Sequence, residues 1–172
     1  MRHVAHSEVN SHYRFFASAT LTADLKNDVL IEGGGGMKSE QIFNTALLLL
    51  RLILGVIFAA HGMQKLFGAF GGPGLNGVAG MFKELGFSPA LFWAWIVALS
   101  EGLGGLALIL GVLPRIFAGL IAIVMLVAIL KVHGSHGLFA GNGGMEYPLL
   151  ILTVCIFIIL VGAGKFSLYN KL

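Results

Sequence analysis

Charge is what this chain has least of. Charged residues make up 11% of its 172 residues, against 57% hydrophobic types, and the mean hydropathy is +0.90. Soluble domains carry about 25% charged residues. The shortfall argues against a soluble globular domain and against a disordered chain. A net charge of +3, scattered along the sequence, is too weak for a surface that reads nucleic acid. Cysteine is nearly absent. The lone Cys155 excludes an intrachain disulfide, a thiol–disulfide relay within the chain and a multi-cysteine zinc or iron–sulfur site. What remains is a small integral membrane protein.

The few charges are unevenly placed. Residues 1–36 hold seven of them: Arg2, Glu8, Arg14, Asp24, Lys26, Asp28 and Glu32. The composition changes at Gly33–Gly36, just before Met37. Residues 1–36 lack the basic start, apolar centre and small-residue cleavage site of a secretory signal, and they show no sustained periodicity. Two readings stand: a translated leader before a true start at Met37, or a disordered glycine-linked tail. Neither carries a function.

Residues 37–172 contain four stretches that approach the roughly 20 apolar residues a membrane helix needs. They run over about 45–62, 89–113, 115–132 and 147–164. Backbone groups in lipid must bond internally, so the spans are helices, and unbroken apolar runs do not suit alternating barrel strands. The expected class is therefore all-α, a polytopic four-helix membrane bundle. Gly111 and Pro114 make the second link a tight hairpin. The glycine-rich first link leaves room for a short interfacial helix near Val78–Leu85. Its Gly71, Gly72 and Gly74 lack the Lys-Ser/Thr and the strand context of a phosphate loop. Four spans place both termini on one side. Lys38, Arg115, Lys165 and Lys171 on that side outnumber Lys65, Lys83 and Lys131 on the other, which puts both termini in the cytoplasm.

Polar residues inside apolar spans are costly and usually find protein partners. Arg51 in the first span and Glu101 in the second stand at adjoining depths of antiparallel helices, which predicts an Arg51–Glu101 ion pair. Gly55, Phe58, Gly62 and Lys65 continue the Arg51 stripe. Ala98 and Gly105 flank Glu101, where small residues admit a close neighbour. The pair reads either as a bridge that fixes the fold or as a site where Glu101 handles a proton. At the opposite, outer end, His61 and Lys65 share a helical face. His133 and His136 follow the third span, and Glu146 with Tyr147 opens the fourth. Histidine suits proton transfer near neutrality, and such donors beside apolar walls suit a quinone head group. His61, His133, His136 and Glu146 form an alternative metal set, and closure of polar loops is the plain reading of His133 and His136. Cys155, among apolar neighbours, reads as a small apolar residue.

Four runs of residues carry a family resemblance. Arg51-x3-Gly55-x5-His61-Gly62-x2-Lys65-Leu66-Phe67-Gly68 is joined by Glu101-x2-Gly104-Gly105-x5-Gly111-x3-Arg115. Gly144-x-Glu146-Tyr147-Pro148-Leu149 and Gly162-x-Gly164-x2-Ser167-Leu168 follow. Together they resemble the DoxX family over about residues 45–168. Tyr169 departs from the pattern, which continues with Asp. The resemblance implies a four-helix inner-membrane protein of bacteria or archaea. The family is named for a small subunit associated with a terminal quinol oxidase, and relatives are linked to thiosulfate:quinone oxidoreduction and oxidative-stress defence. Carried over by position, the implied functional residues are Arg51, His61, Lys65, Glu101, His133, Glu146 and Tyr147. The resulting expectation is a membrane subunit in quinone-linked redox chemistry. His61 and Glu101 would handle protons, and Lys65, His133, Glu146 and Tyr147 would bind the ring. No haem, flavin or iron–sulfur motif is present, so an electron-transferring cofactor would come from a partner subunit. The alternatives are a non-enzymatic anchor for soluble redox proteins and, less favoured for its narrow pore, a small-solute carrier. Self-association is compatible with all three.

Overall fold

The computed structural model describes residues 38–168, so the leader and tail readings of residues 1–36 and the departure at Tyr169 lie outside the described residues. The chain falls into two units, Met1–Phe43 and Asn44–Leu172. Of the first, residues 38–43 are helical and exposed; all packing described below belongs to the second.

The described residues contain no strand, and the all-α expectation holds. Helix α1 spans Lys38–Phe67, α2 Gly74–Glu84, α3 Ala90–Leu110, α4 Pro114–Ala128 and α5 Glu146–Val161. Helix α4 continues through a π turn, Ile129–His133, and a 3-10 turn, Gly134–His136. Helices α1, α3 and extended α4 are long and apolar enough to cross a membrane. Together with their apolar outer faces, this makes the chain a membrane protein in a lipid environment. Helix α5 has 16 residues, about 24 Å at 1.5 Å per residue. It is shorter than the 147–164 span read from composition because Gly162, at φ 90°, turns the backbone out of the helix. Helix α1 is longer than 45–62, since its polar flanks stay helical.

Chain reversals follow local chemistry. Helix α3 ends in a Schellman motif: Val112 N donates to Ala107 O (2.9 Å) and Gly111 N to Leu108 O (3.3 Å). Gly111 takes the left-handed conformation this requires, φ 71°. Pro114 then opens α4 at a position where its missing N–H leaves no donor unpaired.

The main core forms where four helices meet. Leu47, Leu54 and Phe58 of α1 pack with Leu108 of α3, Ala118, Ile121 and Met125 of α4, and Cys155 and Ile158 of α5. A second, separate cluster joins Val78 and Phe82 of α2 to Ala94 of α3. In lipid, apolar burial alone does little to drive helices together, so close packing of small residues decides the contacts. The α1–α3 crossing shows this. A Cβ at Gly62 would lie 2.2 Å from the Gly102 Cα, and one at Gly105 would lie 2.2 Å from the Ala59 N. Antiparallel register follows: Gly55 faces Gly105, and Gly62 faces Gly102.

The segment after α5 folds back along the end of the bundle. Lys165 N donates to the Asn44 side-chain oxygen (2.8 Å), and Leu168 N donates to Leu110 O (3.1 Å).

Candidate functional site

The α1–α3 register decides which charges meet. Glu101 pairs with Lys65, one turn beyond Gly62, through Nζ and Oε2. Arg51 instead lies level with the C-terminal end of α3. Its Nε donates to Leu108 O (3.3 Å), Nη2 to Phe166 O (2.8 Å) and Nη1 to Ala163 O. The expected Arg51–Glu101 pair is therefore corrected. Leu108 stands seven residues beyond Glu101, about 10 Å along the helix, so the glycine-set crossing carries Arg51 past the carboxylate. Arg51 is 1% exposed and ties the C-terminal segment to α1 and α3. Ala163 and Phe166 follow the end of α5, and Leu108 lies in the last turn of α3, where its carbonyl also accepts from Gly111 N.

The Lys65–Glu101 pair is the wall between two chambers of about 310 Å³ each. One is polar at its rim. Phe58, His61 and Lys65 of α1 line it with Glu101 of α3, Met125, Ala128 and His133 of α4, and Tyr147, Pro148 and Ile151 of α5. The loop residues Ala140, Gly143 and Gly144 close one side. The other chamber is apolar, between α2, α3 and α4, lined among others by Phe82, Phe87, Trp93, Val97 and Val124. Lys65, Glu101, Met125, Ala128 and His133 border both. Glu101 is only 2% exposed, whereas the Lys65 side chain is 20% exposed. The carboxylate is thus sheltered, and its partner reaches it from the more open side.

His133 stands where the π turn ends. Its Nδ1 lies 2.7 Å from the carbonyl oxygen of Gly143. A carbonyl only accepts, so Nδ1 carries the proton and donates, which leaves Nε2 as acceptor in the neutral ring. The loop that supplies this carbonyl is held by its own backbone: Gly144 N donates to Phe139 O (3.0 Å) and Met145 N to Gly137 O (3.0 Å). His61 sits on α1 beside Phe58, ring centroids 6.3 Å apart.

Of the residues singled out from sequence, His61, Lys65, Glu101, His133 and Tyr147 come together around the polar chamber. Glu146, first residue of α5, and His136 line neither chamber. His136 Nδ1 donates instead to Val132 O (2.9 Å), closing its own turn. The alternative metal set of His61, His133, His136 and Glu146 does not converge: among the described residues no group of three or more His, Cys, Asp or Glu side chains is placed to hold an ion. Met125 and Ala128, also part of the family resemblance, line the polar chamber from the α4 face that follows Ala118, Ile121 and Ala122. The apolar chamber had no sequence signal, because its lining is ordinary for a membrane helix.

The chain is also similar to known proteins. The family model described as DoxX matches residues 46–134, a range that holds Arg51, His61, Lys65, Glu101 and His133. A protein of Bacillus subtilis (strain 168) named "Putative oxidoreductase CatD" is 32% identical over 112 residues, covering 65% of this chain and 77% of that protein. No solved structure matches significantly. With half of its length under the family model and that relative aligned over three quarters of its own length, the chain belongs to the DoxX family.

Proposed function

We propose that this chain binds the polar ring of a quinone in the polar chamber and serves quinone-linked redox chemistry in the inner membrane. One observation carries the reading: a half-buried ion pair, Lys65–Glu101, borders both a polar and an apolar chamber. An ion pair within membrane helices is expensive, and apolar residues of similar volume would hold a fold as well. Its position beside a cavity rather than in solid packing supports a role in contact with ligand. Glu101 and His61 handle protons at the ring oxygens. Lys65 and the Tyr147 phenol donate hydrogen bonds, and His133 Nε2 accepts one from a quinol hydroxyl. The oxidoreductase name of the Bacillus subtilis relative is in keeping with redox chemistry. A redox partner subunit supplies the electron-transferring cofactor. Both termini lie in the cytoplasm, and the chamber opens toward the outer leaflet.

Purified protein analysed by mass spectrometry should carry quinone, and His61→Ala and Glu101→Gln should lose it while keeping helix content and monodispersity. Preparations free of quinone at every yield would overturn the reading. Soluble partners captured equally by wild type and His61→Ala, with no quinone, would favour the anchor instead.

A further inference from the structure

We infer that the chamber between α2, α3 and α4 is a slot for the isoprenoid chain of a lipid-soluble quinone, which enters sideways from the bilayer. The inference rests on the quinone reading above and names the kind of quinone. Three observations carry it.

The two chambers adjoin. Five residues border both, so a ring that meets Glu101 and His133 in one stands beside the other. A small water-soluble quinone needs only the polar chamber. Next, the apolar chamber lies where the packing is divided. Phe82 belongs to the α2–α3 cluster and Met125 to the main core, and both line it. The helices leave a space between these clusters rather than closing on it. Finally, the chamber has lipid-side edges. Met81, Ile96 and Ile123 line it and are exposed on the apolar outer surface. A chain therefore passes from lipid to the slot without crossing water. Apart from the Lys65–Glu101 pair, His133, Lys131 and the Trp93 indole N–H, its lining is apolar, so most of the slot offers a chain no group that needs a hydrogen bond.

The test compares two benzoquinones with the same ring, one with two isoprene units and one with none, on the full chain in lipid nanodiscs. Binding is followed by quenching of tryptophan fluorescence, since Trp93 lines the slot. Val97→Phe narrows the slot without touching the polar chamber, and Ile96→Trp is a second filling variant should Val97→Phe fail to fold. Overpacking of this kind should weaken the chain-bearing quinone about tenfold and leave the ring-only quinone within about twofold. Equal binding of both quinones, unchanged by either variant, would overturn the slot and leave the quinone reading standing. So would equal weakening of both quinones. Failure of wild type to bind either quinone would overturn the quinone reading itself.

Discussion

Lys65 Nζ meets Glu101 Oε2 because Gly62 and Gly102 let α1 and α3 touch backbone to backbone. A wider crossing would hold the ammonium away from the carboxylate. The ion pair thus depends on the glycines beside it, and each can be tested separately.

Removing one charge should cost more than exchanging both. Lys65→Met leaves a carboxylate uncompensated in a sheltered place and should destabilise the protein by about 3 kcal/mol. The double exchange Lys65→Glu with Glu101→Lys should recover most of that loss but not quinone binding. Thermal unfolding in detergent measures the first effect, and ligand retention the second. A Lys65→Met protein that melts with wild type would show that the pair holds nothing together.

Glycine positions should divide sharply. Gly62→Ala forces a methyl into backbone 2.2 Å away and should cost about 2 kcal/mol. Gly119→Ala, with nothing within 4 Å of its added Cβ, should be neutral or stabilising by up to about 1 kcal/mol through helix propensity. Melting of both variants in parallel checks the contrast, and the α1–α3 contact predicts that only Gly62→Ala also loses quinone.

Arg51→Leu should release the C-terminal segment. Three carbonyls, on Leu108, Ala163 and Phe166, lose a charged donor, at a cost of about 3 kcal/mol. Cleavage by trypsin at Lys165 should become faster than in wild type. Arg51→Lys keeps the charge but has one nitrogen where three acceptors stand apart, so it should fall between the two.

Cys155 is fully buried in the main core. Maleimide should label it slowly in the folded protein and quickly once the bundle opens. As the chain's single thiol, it reports unfolding without any substitution. Fast labelling of the native state would mean that α5 leaves the bundle readily.

Much of this fold was legible from local signals. Apolar runs located helices α1, α3, α4 and α5, Gly111 and Pro114 located a turn, and the offsets from Arg51 through Gly55 and Gly62 to Lys65 marked one face of α1. Pairing across helices was harder to read. Depth from span limits left Arg51 and Glu101 close enough to pair, and only the contact register separates them by two turns of helix. The return of residues 162–168 toward Arg51 was invisible too. It depends on backbone carbonyls, which every residue has, so no side-chain pattern announces it. The polar chamber could be read in outline from His61, Lys65, His133 and Tyr147. Glu146 and His136 line neither chamber, although Tyr147 and His133 near them in sequence stand beside the polar one.

Arg51 bears on how the chain is made. Two of its three partners lie 112 and 115 positions downstream. While α1 enters the membrane, those carbonyls have not been synthesised, and the guanidinium must rely on lipid head groups, water or the insertion machinery. Only when the last helix has emerged can the arginine settle. A nascent chain cut short before residue 163 therefore leaves Arg51 with the Leu108 carbonyl alone, two of its three acceptors missing.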